Sequence, residues 1–397
     1  MYAVGIDISK GKNTVAIVSL KGEIIEKPFE ITHNDQGLKQ LLDKIKMYPK
    51  ENVRFVMEAT SHYHYPILFP LLDKKYWVCV ENALVIKKYC ETDLRKAKND
   101  KKDSLKLANY LADKWHKLRK FEAQDEIRNE LLFLSREYSK YTTSLIRLKV
   151  QLTDLVDKTF PGIKEIVDSE HRFNLFLNIY EKYWHPSLII EKEKYEFTEE
   201  ITDMAKKLGH KVGMDIGLKL YETAPIIITS RPKNELTQLA ITNCIQLLRQ
   251  TSIATENIIT KMDEIASQLK EFNVVKEMKG VGAKTCSRLI AEVGDVRRFK
   301  NSSSLIAYCG IDAPPYQSGT FYGTERHISK RGSKNLRKVG YEVMRNLKTS
   351  RPKIDNAVYN YIVKKELEGK PKKVAKIAGL NKFLRIYYTR VMEVYKI

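Results

Sequence analysis

The first third of the chain alternates short apolar runs with turns. Tyr2 to Ile8, Thr14 to Leu20 and Glu23 to Ile31 are rich in Val and Ile, and Ser9-Lys10-Gly11-Lys12 and Lys21-Gly22 separate them as hairpin turns would. Leu38, Leu41, Leu42 and Ile45 then recur at helical spacing behind Asn34, a side chain suited to cap a helix start. Val53 to Met57 predicts a short buried strand, and Tyr76 to Val80 predicts another. Three hairpin-linked strands followed by helix and strand units is the order of a ribonuclease-H-like sheet. Residues 1–120 are therefore expected to form an α/β domain.

The period then changes. From Ile127 the apolar positions step by 4 and 3 in turn through Leu131, Leu134, Tyr138, Tyr141, Leu145, Leu148, Leu152 and Leu155. That is a heptad seam, the mark of a coiled coil, and Phe160-Pro161-Gly162 ends it. Ile241, Ile245, Leu248, Ile259, Met262 and Leu269 make a second run, with Ser252 and Thr255 at its centre. This run fits a partner for the first seam or an ordinary core helix equally well. Residues 121–272 are expected to be a helical, coiled-coil spacer, although 165–235 carry no recognisable motif. Residues 273–397 form a mainly α C-terminal domain with a basic helical tail.

Composition narrows the partners. Lys and Arg number 70 against 49 Asp and Glu, a net charge of +21. The cations are spread through every segment, unlike the single amphipathic helix of a membrane-surface protein, and this favours a long nucleic-acid track. No run is apolar enough to span a bilayer, so no membrane association is expected. Met1-Tyr2-Ala3-Val4-Gly5 lacks a basic stretch followed by an apolar one, so a cytoplasmic location is expected. Cys79, Cys90, Cys244, Cys286 and Cys309 show no CxxC spacing, which argues for free thiols and against structural zinc.

Candidate chemistry begins with four acids. Asp7 stands inside an apolar strand and Glu58 directly follows Val56-Met57; a carboxylate in such a place is costly unless something compensates. Asp100 and Asp103 are three apart, so on a helix they share a face, within a segment otherwise dominated by lysine. Singly, each has an ordinary explanation as a cap, turn residue or surface ion-pair partner. Jointly, they make a cage of hard oxygen ligands suited to Mg²⁺ (or Mn²⁺), and two such ions about 4 Å apart can activate a nucleophile and stabilise a leaving oxygen at phosphorus. Lys98, Lys101 and Lys102 would hold the phosphate backbone beside them.

Lys279-Gly280-Val281-Gly282-Ala283-Lys284 fails as a Walker loop, because alanine precedes Lys284 and the glycine spacing is too short. It fits a helix-hairpin-helix turn, in which Lys279, Gly280, Gly282 and Lys284 would meet phosphates without reading bases. Ser318, on a loop framed by Pro314-Pro315 and Gly319, reads from composition alone as a turn former.

Val4-Gly5-Ile6-Asp7-Ile8-Ser9-Lys10, Met57-Glu58-Ala59-Thr60 and Asn99-Asp100-Lys101-Lys102-Asp103 resemble the N-terminal domain of the insertion-sequence DEDD transposases of the IS110 type, which include Piv-type DNA invertases. Residues 273–340 resemble that family's second domain, in which a loop serine before glycine precedes a Ser-Lys-x-Gly block, here Ser329-Lys330-Arg331-Gly332. The resemblance implies a RuvC-like fold and metal binding by Asp7, Glu58, Asp100 and Asp103. It also implies a nucleophilic Ser318, with Lys330, Arg331 and Arg337 near the phosphates. DNA would be the substrate and a structured non-coding RNA its guide. Thr320 departs from the pattern, since many relatives carry a second glycine there. The seam makes a homodimer or homotetramer attractive, with one subunit's acids facing another's serine. Two competing readings remain: a metal-dependent, Holliday-junction-resolvase-like nuclease with no serine nucleophile, and a non-catalytic nucleic-acid-binding protein. His327-x-x-Lys330 mimics part of a tyrosine-recombinase signature, but no convincing arginine and tyrosine complete it.

Overall fold

The structure, a computed structural model, describes residues 1–59, 63–90, 99–121, 125–167, 171–314, 317–318, 321–322 and 327–396, with 317–318 and 321–322 described by their strand pairing. The chain divides into two compact units, Met1–Ala123 and Gln124–Ile397.

In the first unit β1 (Tyr2–Ile8), β2 (Lys12–Ser19), β3 (Ile24–Thr32), β4 (Val53–Glu58) and β5 (Trp77–Glu81) form one sheet in the order β3-β2-β1-β4-β5. The hairpin-linked strands pair antiparallel, while β4 and β5 join in parallel, as crossover connections require. Helix α1 (Asp35–Ile45) starts at Asn34, whose side chain accepts the Gly37 N–H at 2.9 Å. Helices α1 and α2 (Tyr65–Asp73) lie in the connections that lead into the parallel strands β4 and β5, and α3 (Ala83–Cys90) and α4 (Asp100–Asp113) follow the last strand.

Both faces of the sheet are covered. Val4, Ile6, Val15, Ile17, Phe55 and Met57 meet α1 and α2, while Ala3, Val18, Val56 and Cys79 meet Leu107, Ala108 and Leu111 of α4. Double-sided cover explains why the central strands β1, β2 and β4 are nearly continuous buried runs, whereas the edge strand β3 is mostly exposed or half-buried. One contact sets the spacing of the second layer. A Cβ on Gly5 would come within 2.3 Å of both the Ala108 nitrogen and the Ser104 carbonyl oxygen of α4. Helix backbone thus packs directly on strand backbone, which only glycine permits.

Among its described residues the second unit is helical apart from one strand pair. Helix α5 (Glu126–Thr159) carries the heptad seam; α6 (Ile163–Val167), α7 (Phe173–Lys182), α8 (Ser187–Ile190), α9 (Lys194–Lys207) and α10 (Gly213–Thr223) follow. Helix α11 (Glu235–Ala266) then packs along α5 within the same chain. Ser252 and Thr255 do not interrupt it: the Thr255 hydroxyl bonds back to the Thr251 carbonyl at 2.7 Å and the helix runs on.

The two long helices run antiparallel and join two cores. Leu152 and Val156 meet Ile241, Ile245 and Leu248 in a core with α6 to α10, which gives residues 165–235 a structural place. Leu131 and Tyr138 meet Ile259 and Met262 in a second core. That core includes α12 (Phe272–Glu277), α13 (Ala283–Val293), α14 (Ser302–Cys309), α15 (Lys334–Ser350), α16 (Ala357–Leu367) and α17 (Lys372–Val394). Between the cores the seam is less covered, and Tyr141 is 40% exposed.

Buried charges fix α5 on the second core. Arg128 and Glu271 pair at 2.5 Å with 2% and 1% of their side chains exposed, and Arg128 also donates to the Tyr395 hydroxyl at 2.8 Å. Glu292, wholly buried, accepts from Ser135 at 2.8 Å and pairs with Arg136 at 3.1 Å. Such charges are tolerated in a core only because each is matched. All five cysteines are free thiols, and burial pushes Cys79, Cys286 and Cys309 up to about 12.

Gly5→Ala is expected to lower stability by about 1–3 kcal/mol, the usual cost of overpacking, because backbone and not a flexible side chain must move. Denaturant unfolding measures this; an unchanged midpoint would show that α4 gives way freely.

Candidate active site

The two acidic strand positions become neighbours through register. Ile6 pairs with Met57 in parallel, so Asp7 and Glu58 come next on adjacent strands, roughly 4.8 Å apart at the backbone. Period-2 alternation puts Asp7 on the face of Ala3 and Gly5, and Glu58 on the face of Val56, which is the face α4 covers. Both side chains are half-buried.

Helix α4 brings the other two. Its start is capped by Asn99, whose side chain accepts the Lys101 N–H at 3.0 Å, and Asp100 and Asp103 occupy the first turn. Acids there are favoured by the helix dipole alone. The helix runs across β1 with Ser104 and Ala108 on Gly5. Charge contacts place that turn at the strand edge: Asp100 acts on Lys12, at the start of β2, and Lys101 acts on Glu30, near the end of β3. Lys12 and Glu30 pair at 2.7 Å, and that bond raises the lysine pKa and lowers the carboxylate's. Asp7 and Glu58 thus end adjacent strands on the face that α4 covers, and Asp100 and Asp103 stand in the first turn of that helix. Asp103 is half-buried, and Asp100, Lys101 and Lys102 are exposed. Lys98 lies outside the described residues.

A fifth carboxylate on this face escaped the sequence reading. Glu81 pairs with Glu58 across β4 and β5, and it accepts from the Tyr110 hydroxyl of α4 at 3.0 Å and from the Asn82 N–H at 2.9 Å. Burial and the Glu81 charge push the Tyr110 hydroxyl above its ordinary range. The signal was an acid ending a strand, as at Glu58, but with no motif attached. The donor set is all oxygen, which fits a hard divalent cation and not zinc. Among the described residues, however, no three acidic, histidine or cysteine side chains converge tightly enough to enclose an ion.

The second candidate region lies in the other unit. Ser318 ends β6 (Gln317–Ser318), which pairs antiparallel with β7 (Phe321–Tyr322), and it stands opposite Phe321. The chain before and after this pair is clamped. Gly310 ends α14 at φ 68°, the left-handed region. A Cβ on Gly332 would fall 2.2 Å from the Tyr308 carbonyl oxygen, and one on Gly310 would fall 2.8 Å from the Gly332 nitrogen. The Lys330 N–H donates to Gly310 at 3.0 Å, Ser333 N–H to Tyr308 at 2.7 Å, and the Ser329 hydroxyl to Asp312 at 2.5 Å. Ser333 also caps α15. Lys330 and Arg331 project exposed from this clamp.

Arg337 differs from that pair. It is half-buried, and its guanidinium donates to the Cys309 carbonyl at 2.8 Å and to the Gly332 carbonyl at 3.2 Å, tying both sides of the clamp together. In the glycine turn, Lys279, Gly282 and Lys284 are exposed. Gly280 is half-buried against α15, and the Asn346 amide donates to its carbonyl at 3.3 Å. Gly282 precedes α13, and its N–H donates to the Thr285 hydroxyl at 2.8 Å.

Comparison with known proteins supplies the class that an acid-edged α/β unit and a helical unit do not fix by themselves. Residues 4–161 match the DEDD transposases of the IS110 type, and residues 273–359 match the transposases of the IS116/IS110/IS902 family. The chain belongs to the IS110-type transposases and recombinases. It is 23% identical over 243 residues to the insertion element IS110 uncharacterized 43.6 kDa protein of Streptomyces coelicolor, a match covering 61% of this chain and 59% of that protein. It is 20% identical over 392 residues to the pilin gene-inverting protein of Moraxella bovis, covering 98% of this chain and 95% of that one. The pilin gene-inverting protein of Moraxella lacunata matches to the same extent, at 20% over 392 residues.

Arg337→Ala is expected to loosen the clamp by about 1.5–3 kcal/mol, the worth of charged hydrogen bonds, and to speed amide exchange at Ser329, Lys330 and Ser333 by tenfold or more. Both bonds leave one guanidinium nitrogen, so Arg337→Lys, whose ammonium also carries several N–H donors, should restore part of the protection. Unchanged exchange with weakened DNA binding would instead make Arg337 a phosphate contact.

Proposed function

We propose that this chain cuts and rejoins DNA as the transposase of an insertion sequence, through a covalent serine–DNA intermediate and a metal-dependent acidic site, directed by a structured non-coding RNA. The observation that supports the reading is the adjacency of Asp7 and Glu58 on neighbouring strands of the face that α4 covers, with Asp100 and Asp103 in the first turn of that helix and a Ser318 strand pair in the same chain. The order β3-β2-β1-β4-β5 supports a ribonuclease-H-like, RuvC-like domain.

In this reading the Ser318 Oγ attacks the scissile phosphorus. An O–P bond forms, and one bridging oxygen of the strand leaves as a hydroxyl after taking up a proton. The phosphodiester energy is kept in the serine ester, so a second strand's hydroxyl can reverse the step without a high-energy cofactor. Asp7, Glu58, Asp100 and Asp103 would hold Mg²⁺ or Mn²⁺, which supplies charge neutralisation at phosphorus and activation of the hydroxyl. Lys101, Lys102, Lys330 and Arg331 are exposed and suited to phosphates, as are Lys279 and Lys284 around the glycine turn. An oligomer, dimer or tetramer, joined through α5 and α11 is supported by Ile146, Val150 and Ile253, which are 56%, 66% and 58% exposed on those helices.

A second reading, a metal-only nuclease, is favoured by the acids standing complete without Ser318. An adduct assay separates the two. Cells carrying the complete element with its flanking non-coding sequence should yield an SDS-resistant, protease-sensitive protein–DNA adduct. Ser318→Ala and Asp7→Ala should each abolish it. Cleavage without an adduct, unaffected by Ser318→Ala, would establish the metal-only nuclease.

A further inference from the structure

A second basic site is built from residues other than the acids and the serine strand pair. Arg345, Lys348, Thr349 and Arg351, at the end of α15, and Lys376, in the first turns of α17, line a cleft of about 410 Å³. Residues 345–376 hold ten Lys and Arg against three Asp and Glu. All three acids are already engaged: Glu366 with Lys348 at 2.8 Å, Glu368 with Lys365 at 2.7 Å, and Asp355 with Arg390 at 3.0 Å. None of them lines the cleft. Arg345, Arg351 and Lys376 have no ion-pair partner among the described residues, so the cleft holds cations in excess. The start of α17 adds to this: no side chain caps it and its first turn contains no acid, so its positive dipole end is unanswered.

We infer that this cleft grips the phosphate backbone of a double-stranded nucleic acid, a site that rests on the recombinase reading but is separate from its chemistry. Duplex is favoured over single strand because the local aromatic rings are in use. Lys376 lies over Tyr341 at 5.8 Å and Lys348 over Tyr359 at 5.3 Å, so these rings seat cations and do not serve as stacking platforms for unpaired bases. Along α15 the cleft adjoins the glycine turn, since Asn346 bonds to Gly280 and is the neighbour of Arg345. Turn and cleft then form one sequence-neutral track along a single backbone.

Binding of the full chain to a short random-sequence DNA duplex, the matching RNA duplex and a single strand should be measured across salt concentrations. The triple variant Arg345→Ala, Arg351→Ala, Lys376→Ala should bind duplex more weakly, with the slope of log affinity against log salt shallower by about 2.7, or about 0.9 for each lost contact. Arg345→Lys should keep the wild-type slope. If the triple variant melts early, Lys376→Ala alone should still shift the slope by about 0.9. A loss seen on one duplex and not the other supports the cleft and names its ligand. Unchanged affinity and slope on both duplexes, or a loss confined to the single strand, would overturn the proposal while leaving the recombinase reading intact. Failure of the wild type to bind any of the three would overturn both.

Discussion

The acidic site depends on one backbone-to-backbone contact. With no Cβ on Gly5, α4 comes down onto β1 until Ser104 and Ala108 touch the strand. That closeness lets acids in the helix's first turn share an edge with acids on the strands, and a bulkier residue would hold the helix off by the width of a side chain. Asp7, Glu58, Asp100 and Asp103 are therefore a consequence of layer spacing as much as of their own positions. Tyr110, reaching from α4 to Glu81, works in the same direction at the β5 edge of the same face.

The second unit solves a comparable problem with different means. A serine on a short strand pair has no sheet to hold it, so the chain on either side must. Gly310 and Gly332 interlock where no Cβ fits, and Arg337 fastens both. The core beneath is then tied to α5 by the Arg128–Glu271 pair and the Glu292 cluster. Each of these charges is matched because a stranded one would cost several kcal/mol.

Much of the first unit was legible in the sequence. Each strand and the Asn34 cap followed from apolar runs, turn residues and helical spacing; Asp7 and Glu58 stood out as carboxylates set among apolar residues, and Asp100 and Asp103 as acids three apart in a lysine-rich segment. The close approach at Gly5 was not legible, because a glycine in a strand does not say what presses on it. Nor was Glu81, whose place on the site face follows from the β4–β5 register. In the second unit, periodicity found α5 and α11 but not how they are used. The seam pattern is the same whether a partner is one helix or two separate cores. Arg337 looked like a phosphate ligand because an arginine near a basic motif carries no mark of the carbonyls it will meet. The basic cleft at α15 and α17 was invisible for a related reason: its cations lie on two helices that only folding brings together.

The central claim, that packing of α4 on β1 assembles a divalent-cation site, is tested most directly by calorimetric titration of the full chain with Mn²⁺. The wild type should bind, and Asp7→Asn, Glu58→Gln and Asp103→Asn should each weaken binding by tenfold or more. Equal affinity in the wild type and all three variants would contradict the account, because the acids at this edge would then not form one site.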